Sequence, residues 1–322
     1  MIRPFLYFFI LVLSASCAPA NWLKMDVIVP AVFTFPDTGK IAVVNLSYSP
    51  EVMYGKSSLM AFMTPAEKLI FDTLVTANLF NGFFSVLNDS PNERLRNSEY
   101  IEQREEDTTN FLLPKQAGEI VDLCNKLEAK HIISMEYYGF TSKISSGLSD
   151  WGEYEENLDV SYAVFWRIYN NKGEILNQLV EVDTLYWFSD YEYYYTVPQL
   201  TDAVREAFFI AGEKYAKHIS PYWNSISRSY YQIYSFGDDI SLDREHLIEL
   251  KDGEKKQQTF KACYNLAVIS ESEDKLPEAI EWLKEAQKIK ESEYVDFYMK
   301  KLQKRLEIRD KLDEQSGLKL TN

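Results

Sequence analysis

Apolar residues alternate with polar ones in the middle of this chain and recur at helical spacing towards its end. Between Leu158 and Tyr169 the side chains of Val160, Tyr162, Val164, Trp166 and Ile168 share one face of a strand. Asn170-Asn171-Lys172-Gly173 is a turn signal, and Glu174 to Tyr186 returns as the partner strand. Lys40 to Asn45 and the run from His131 to Tyr138 read as short buried strands. Thr64-Pro65-Ala66-Glu67 opens a helix: Thr64 caps, Pro65 suits the first turn and Glu67 closes a capping box. Ile70, Leu74 and Ala77 are its expected inner stripe and Asn81-Gly82 its expected stop, with Phe83 to Leu87 as a second short strand. Asp89 to Asn110 is polar and reads as a surface excursion. From Pro114 a helix carries Ile120, Leu123, Cys124 and Leu127 on one face, and Leu200 to Ile219 forms a longer one, ended by Ser220-Pro221. Ser225 to Phe236 is a last candidate strand. The order β-α-β-α-β-β-β-α predicts an α/β domain with one mixed sheet and helices covering a face. The first strand leads into Asn45-Leu46-Ser47-Tyr48, which lacks the glycines of a phosphate or dinucleotide loop.

Beyond Ser241 strand signals stop and the chain is helical and charged, which places a boundary near Gly237. Ala262 to Ile289 resembles a tetratricopeptide repeat: Leu266 and Ala267 occupy first-helix positions, and Ala279, Leu283 and Ala286 second-helix positions. Small residues there let two antiparallel helices approach closely. Ser241 to Lys256 reads as a degenerate preceding helix. Tyr294 to Leu312 reads as a cap, with Phe297, Met299, Leu302 and Leu306 as its apolar positions. One repeat cannot bury its own core. The all-α, TPR-like domain is therefore a short array, read either as a concave peptide-binding face or as a structural appendage. The expected division is 1–16 leader, 17–39 lipidated tether and lead-in, 40–237 α/β domain and 238–322 helical domain.

The N-terminus carries the sharpest signal. Arg3 precedes the apolar run from Phe5 to Leu13, followed by Ser14, Ala15, Ser16 and Cys17. That order is a secretory signal peptide, too short to span a bilayer. Small residues before a cysteine resemble a lipobox, although Ser14 stands where leucine is commoner. Cys17 is thus the expected lipidation site, anchoring the chain to the outer membrane on its periplasmic face. Several acyl chains hold a protein stably where one is marginal.

Charge narrows the partners. The net charge of −15 repels nucleic acid and anionic headgroups and favours a basic protein partner in the envelope. The chain also holds 22 Tyr and 19 Phe. Tyr186-Trp187-Phe188-Ser189-Asp190-Tyr191-Glu192-Tyr193-Tyr194-Tyr195 concentrates them. If exposed, Trp151, Tyr186, Trp187, Tyr191, Tyr193, Tyr194 and Tyr195 form a patch able to anchor a protein or stack on sugar rings. The alternative is a strand end and loop folded back on the domain with half of the rings buried.

The whole chain after the leader resembles a family of uncharacterised Gram-negative lipoproteins, a domain of unknown function followed by a tetratricopeptide-like tail. The resemblance rests on Val29-Pro30-Ala31 with Ile41 to Asn45, Leu123-Cys124 with Ile132 to Glu136, Arg228 to Tyr231, and Tyr264 to Ala267, in that order. It implies no activity and no site residues. The strand-helix order is also similar to the small α/β domains of periplasmic assembly lipoproteins such as those of curli secretion, a likeness of pattern only.

No catalytic set is visible. His131, His218 and His246 are isolated from one another and lack the spacing of a zinc site. G-x-S-x-G, C-x-x-C and H-E-x-x-H do not occur. Carboxylate pairs such as Glu105-Glu106 and Asp238-Asp239 read as solvated charge. Cys124 and Cys263 read as buried small apolar residues, a disulfide between them being left open. The expectation is a non-enzymatic protein-binding or scaffold module without cofactor or metal, with glycan binding through 186–195 as the alternative.

Overall fold

The computed structural model describes residues 21–48, 64–104, 113–148, 152, 154–189, 196–235, 238–253 and 255–316. The chain forms two compact units: Pro30–Tyr222, and Met1–Val29 together with Trp223–Asn322.

The first unit is built on a five-stranded sheet of order β3-β2-β4-β5-β6. Its strands are β2 (Ile41–Asn45), β3 (Glu99–Glu102), β4 (His131–Leu148), β5 (Tyr154–Asn170) and β6 (Ile175–Phe188). β2 runs parallel to β3 and β4, whereas β4, β5 and β6 form an antiparallel meander. The expected mixed sheet is therefore present. Helices α1 (Pro65–Asn88) and α4 (Leu200–Ile219) cover one face, burying Val160, Tyr162, Val164, Trp166 and Ile168 as the alternation predicts. Helix α3 (Ala117–Leu127) covers part of the other, with Ile120, Leu123 and Cys124 against Ala42, Val44 and Ile132. That is why all of β2 is buried.

Two expectations about α1 fail for one reason. Gly82 does not end the helix, which continues through Phe83 to Leu87. A Cβ on Gly82 would lie 1.9 Å from the carbonyl oxygen of Phe209 on α4, and one on Gly212 of α4 would lie 1.9 Å from that of Leu79. The glycines are the crossing point of two helices. The buried stripe is Phe71, Val75, Leu79 and Phe83, whereas Ile70 and Ala77 are exposed and Leu74 is half-buried. Trp166 lies between Phe83 and Tyr215, stacked on Tyr215 at 4.2 Å. By length and composition Lys68–Asn88 could cross a membrane, yet this stripe makes it a core helix. The polar excursion holds a short helix, α2 (Glu93–Arg96), and the edge strand β3.

The second unit begins where a lead-in was expected. Asn21–Val29 is a strand, β1, paired with β7 (Tyr222–Tyr230). Met25 and Val27 are buried against Phe260, Tyr264 and Val268. The candidate strand from Ser225 to Phe236 is β7 followed by β8 (Tyr234–Ser235), which pairs with β9 (Asp238–Asp239). β7 thus belongs with the helices, and the division falls beside Tyr222 rather than Gly237. Helices α5 (Arg244–Lys251), α6 (Lys256–Ser272), α7 (Leu276–Ile289), α8 (Glu293–Glu307) and α9 (Arg309–Ser316) follow. Leu266, Ala267, Ala279, Leu283 and Ala286 are buried where α6 and α7 pack. On α8 the inward residues are Val295, Tyr298 and Leu302, leaving Phe297 and Leu306 exposed against expectation.

Candidate functional site

The aromatic candidates separate along β6. Successive strand residues point to opposite faces. Trp187 faces the covered side, opposite Leu158, and packs on the core. Tyr186 and Phe188 face the other side and are 71% and 67% exposed. Val180 and Val182 share their face and are also exposed, with Thr184 between them and Tyr186. Tyr186 and Trp187, grouped in the sequence reading, are therefore split. Phe188, inside the aromatic run, and Val180 and Val182, outside it, complete the patch. The alternation of the strand is the signal that separates them. Cys17, Trp151, Tyr191, Tyr193, Tyr194 and Tyr195 lie outside the described residues.

β6 is the outer strand of its sheet, and among the described residues it has a strand neighbour on one side only. The neighbouring strand β5 presents Asp159, Ser161, Ala163 and Phe165 beside Tyr186, Thr184, Val182 and Val180. Ser161 and Thr184 share a 2.8 Å hydroxyl hydrogen bond. The result is an exposed row on an outer strand that no other strand flanks on that side among the described residues. Native edges usually carry charge or are covered, because such rows recruit partners.

A second feature of the same unit is a cleft of about 620 Å³ between α1 and β3, with Phe80, Phe84 and Tyr100 on its walls and Asp72, Glu102 and Arg104 at one end. The Arg104 guanidinium donates to Asp72 at 2.7 Å and to Glu102 at 2.6 Å. It also donates to Ser47 Oγ at 2.7 Å, which donates in turn to Asn45. Tyr138 donates to Asp72, and Tyr100 to Glu102. Burial pushes the Asp72 carboxyl up to about 6, against the pull of Arg104. Burial would also raise Glu102, but hydrogen bonds from Tyr100 and Arg104 outweigh it and hold that carboxyl below its usual range. The cluster spends its hydrogen bonds internally, tying α1 to the sheet, and so acts as a clamp. The cluster is not visible in the sequence because its members come from four separate segments.

The clamp has a pH signature. A carboxyl whose folded pKa lies above its unfolded value opposes folding when ionised. The Asp72 penalty is thus fully present above pH 6 and is relieved as pH falls from about 6 towards 4. Two pKa units correspond to about 3 kcal/mol as an upper bound. Asp72→Asn is expected to flatten stability between pH 4 and 7 relative to the parent chain, measured by urea unfolding across that range.

The other singled-out residues have structural places. His131 is buried beside Phe35, His218 stacks on Tyr215 and His246 caps back to Asp243. Cys124 and Cys263 are free buried thiols in different units, and burial raises the pKa of each. Among the described residues no group of three His, Cys, Asp or Glu is arranged to hold a metal ion.

Residues 39–231 match a family model described as Domain of unknown function (DUF8603), and residues 247–304 match another described as Domain of unknown function (DUF6340). No curated protein matches. Among solved structures, a neuraminyllactose-binding hemagglutinin homolog from Helicobacter pylori is similar at 11% identity and a TM-score of 0.30, over 57% of this chain and 89% of that one. Rare lipoprotein B from Shewanella oneidensis is similar at 11% identity and a TM-score of 0.22, over 54% and 87%.

Proposed function

The chain belongs to the family described as Domain of unknown function (DUF8603), and from that premise we propose that it is a non-enzymatic, lipid-anchored binding module of the cell envelope that docks a protein partner along β6. The observation that carries this reading is the exposed row Val180, Val182, Tyr186 and Phe188 on a sheet edge that has no further strand neighbour among the described residues. Fully burying one such side chain contributes about 1.5–3 kcal/mol, and main-chain pairing along the edge would fix register. A net charge of −15 favours a basic partner. The leader and Cys17 support anchoring on the periplasmic face of the outer membrane. The buried Ala267, Ala279 and Ala286 support a tetratricopeptide-like α6–α7 hairpin.

The test is photocrosslinking in intact cells from positions 182 and 186, with exposed Lys284 as a control site. Discrete adducts from β6, lost when Val182→Lys places a charge in the row, are the expected result. Identical adducts from all three positions, or none from β6, would overturn it. Turnover of a cell-wall or glycan substrate, abolished by changing one carboxylate, would overturn the non-enzymatic reading. A second reading has its own observation: Tyr186 and Phe188 are two exposed rings on one face, the geometry that stacks on sugars. Glycan-array binding lost in Tyr186→Ala would favour it over a protein partner.

A further inference from the structure

We propose that one end of the helical unit is a lipid-contacting surface, with Trp22, Tyr294 and Phe297 entering the headgroup region of the membrane to which Cys17 is anchored. This goes beyond the docking reading of β6 but rests on the anchoring.

The placement follows from contacts within that unit. Asp26, Val27 and Ile28 at the far end of β1 line a cavity of about 350 Å³ with Trp223 and the C-terminal ends of α6 and α8 (Glu271, Arg305). β7 runs from Trp223 in that cavity to Tyr230 at its other end, and the next residue, Tyr231, packs on Phe260 near the start of α6. The start of β1 therefore lies at the start of α6, about 20 Å from Ile28 at strand rise. α8 runs parallel to α6: Tyr298 packs on Tyr264, and Arg305 reaches Asp274. Its first turn, with Tyr294 and Phe297, thus falls at the same end. So does the end of α7, since Lys290 lies over Phe260.

Three aromatic side chains at that end are not buried: Trp22, on the face of β1 turned away from the helices, is 68% exposed, Tyr294 56% and Phe297 61%. Lys255, Lys256 and Lys290 are exposed at the same end, and Lys301 lies 4.2 Å over the Phe297 ring. Glu291, Glu293 and Asp296 are interspersed, so the surface is balanced rather than basic. Amphipathic aromatics with lysines whose long stems reach past them are the residues that populate membrane interfaces. The chain gives this end little freedom to sit elsewhere. Only Ala18, Pro19 and Ala20 separate Cys17 from Asn21, and four residue steps reach at most about 14 Å. The polar layer of a bilayer leaflet is itself about 5–7 Å deep. An acylated Cys17 therefore keeps Trp22 within reach of the headgroups.

The experiment has two arms. In the first, the acylated protein is placed in phosphatidylcholine vesicles brominated at defined acyl depths, and Trp22 emission is taken as the difference between the parent chain and Trp22→Phe. Quenching by the shallow bromines is expected; a Trp22 signal unquenched in vesicle-bound protein would overturn the proposal. In the second, the chain from Ala18, without the acyl chains, is floated with the same vesicles. Partition is expected to fall about tenfold or more in Trp22→Ser/Tyr294→Ser/Phe297→Ser, and to change little when phosphatidylglycerol is added. Equal partition of parent and triple variant, both folded by circular dichroism, would overturn it. Mass spectrometry of the N-terminal peptide reports acylation separately. An unmodified Cys17 would thus sink the anchoring reading while the second arm still judges the surface.

Discussion

A chain carrying Glu271→Ala will lose about 3–5 kcal/mol of stability, the cost of removing one partner from a buried ion pair. Glu271 is 2% exposed at the C-terminal end of α6. Arg228 from β7 donates to it at 2.7 and 2.9 Å, Arg305 from α8 at 2.5 Å and Tyr298 from α8 at 2.6 Å. One carboxylate thus joins a strand and two helices. Burial alone would raise its pKa, but the hydrogen bonds and charges of Arg228, Tyr298 and Arg305 prevail and hold it ionised below the usual range. Without it, the Arg228 guanidinium loses its carboxylate and Arg305 keeps only the exposed Asp274, at 3.3 Å. Amide hydrogen exchange will show the loss in α6–α8. Unchanged protection there would mean that Arg228 and Arg305 find other partners, among which Asp274 is already bonded to Arg305.

The crossing of α1 and α4 gives a second large effect. Gly82→Ala or Gly212→Ala places a methyl group 1.9 Å from a backbone oxygen of the facing helix, a separation that forces the helices apart. Overpacking of this kind costs about 1–3 kcal/mol or more, and here it falls on backbone that cannot rotate away. The expected loss is about 3 kcal/mol for each. It is less than twice that for the pair, because both changes widen the same contact. Gly118→Ala is the control. A Cβ there meets nothing within 4 Å, and a helical alanine gains about 0.5–1 kcal/mol over glycine. Urea unfolding of the variants will show opposite signs; a stable Gly212→Ala would remove the glycine contact as the reason α1 runs on.

These glycines also show where the sequence was legible. The β5 alternation and the bounds of α4 were readable because each depends on one period. Phe83 to Leu87 is ambiguous in the sequence because a short apolar run fits strand and helix equally, and Gly82 looks like local punctuation although its cause lies on another helix, at Phe209. The inward stripe of α1 is Phe71, Val75 and Leu79 rather than Ile70, Leu74 and Ala77 for the same reason: α4 decides which side of α1 is inward. The Asp72–Arg104 clamp and Glu271 were hidden among many acids, since burial, which sets those two apart, is a property of the fold. The patch was half legible: Tyr186 and Phe188 were inside the aromatic run, but only strand alternation separates them from Trp187, and Val180 and Val182 are unremarkable until the edge is known.

The pairing of β1 with β7 makes the sheet domain an insertion within the helical unit, and that sets an order of folding. β1 is made first, yet its partner follows only after residues 30–222. Closing so long a loop from an unfolded chain costs about 4–5 kcal/mol of entropy, by the logarithmic dependence on loop length. If the intervening domain condenses first, its ends are already held and most of that cost has been met. The expected order is thus the sheet domain first and the flanking unit after it, which pulsed hydrogen exchange during refolding would check. Meanwhile Trp22, Leu23, Met25, Val27, Ile28 and Val29 wait as an apolar strand without a partner, and this is the stage at which the protein is most exposed to aggregation.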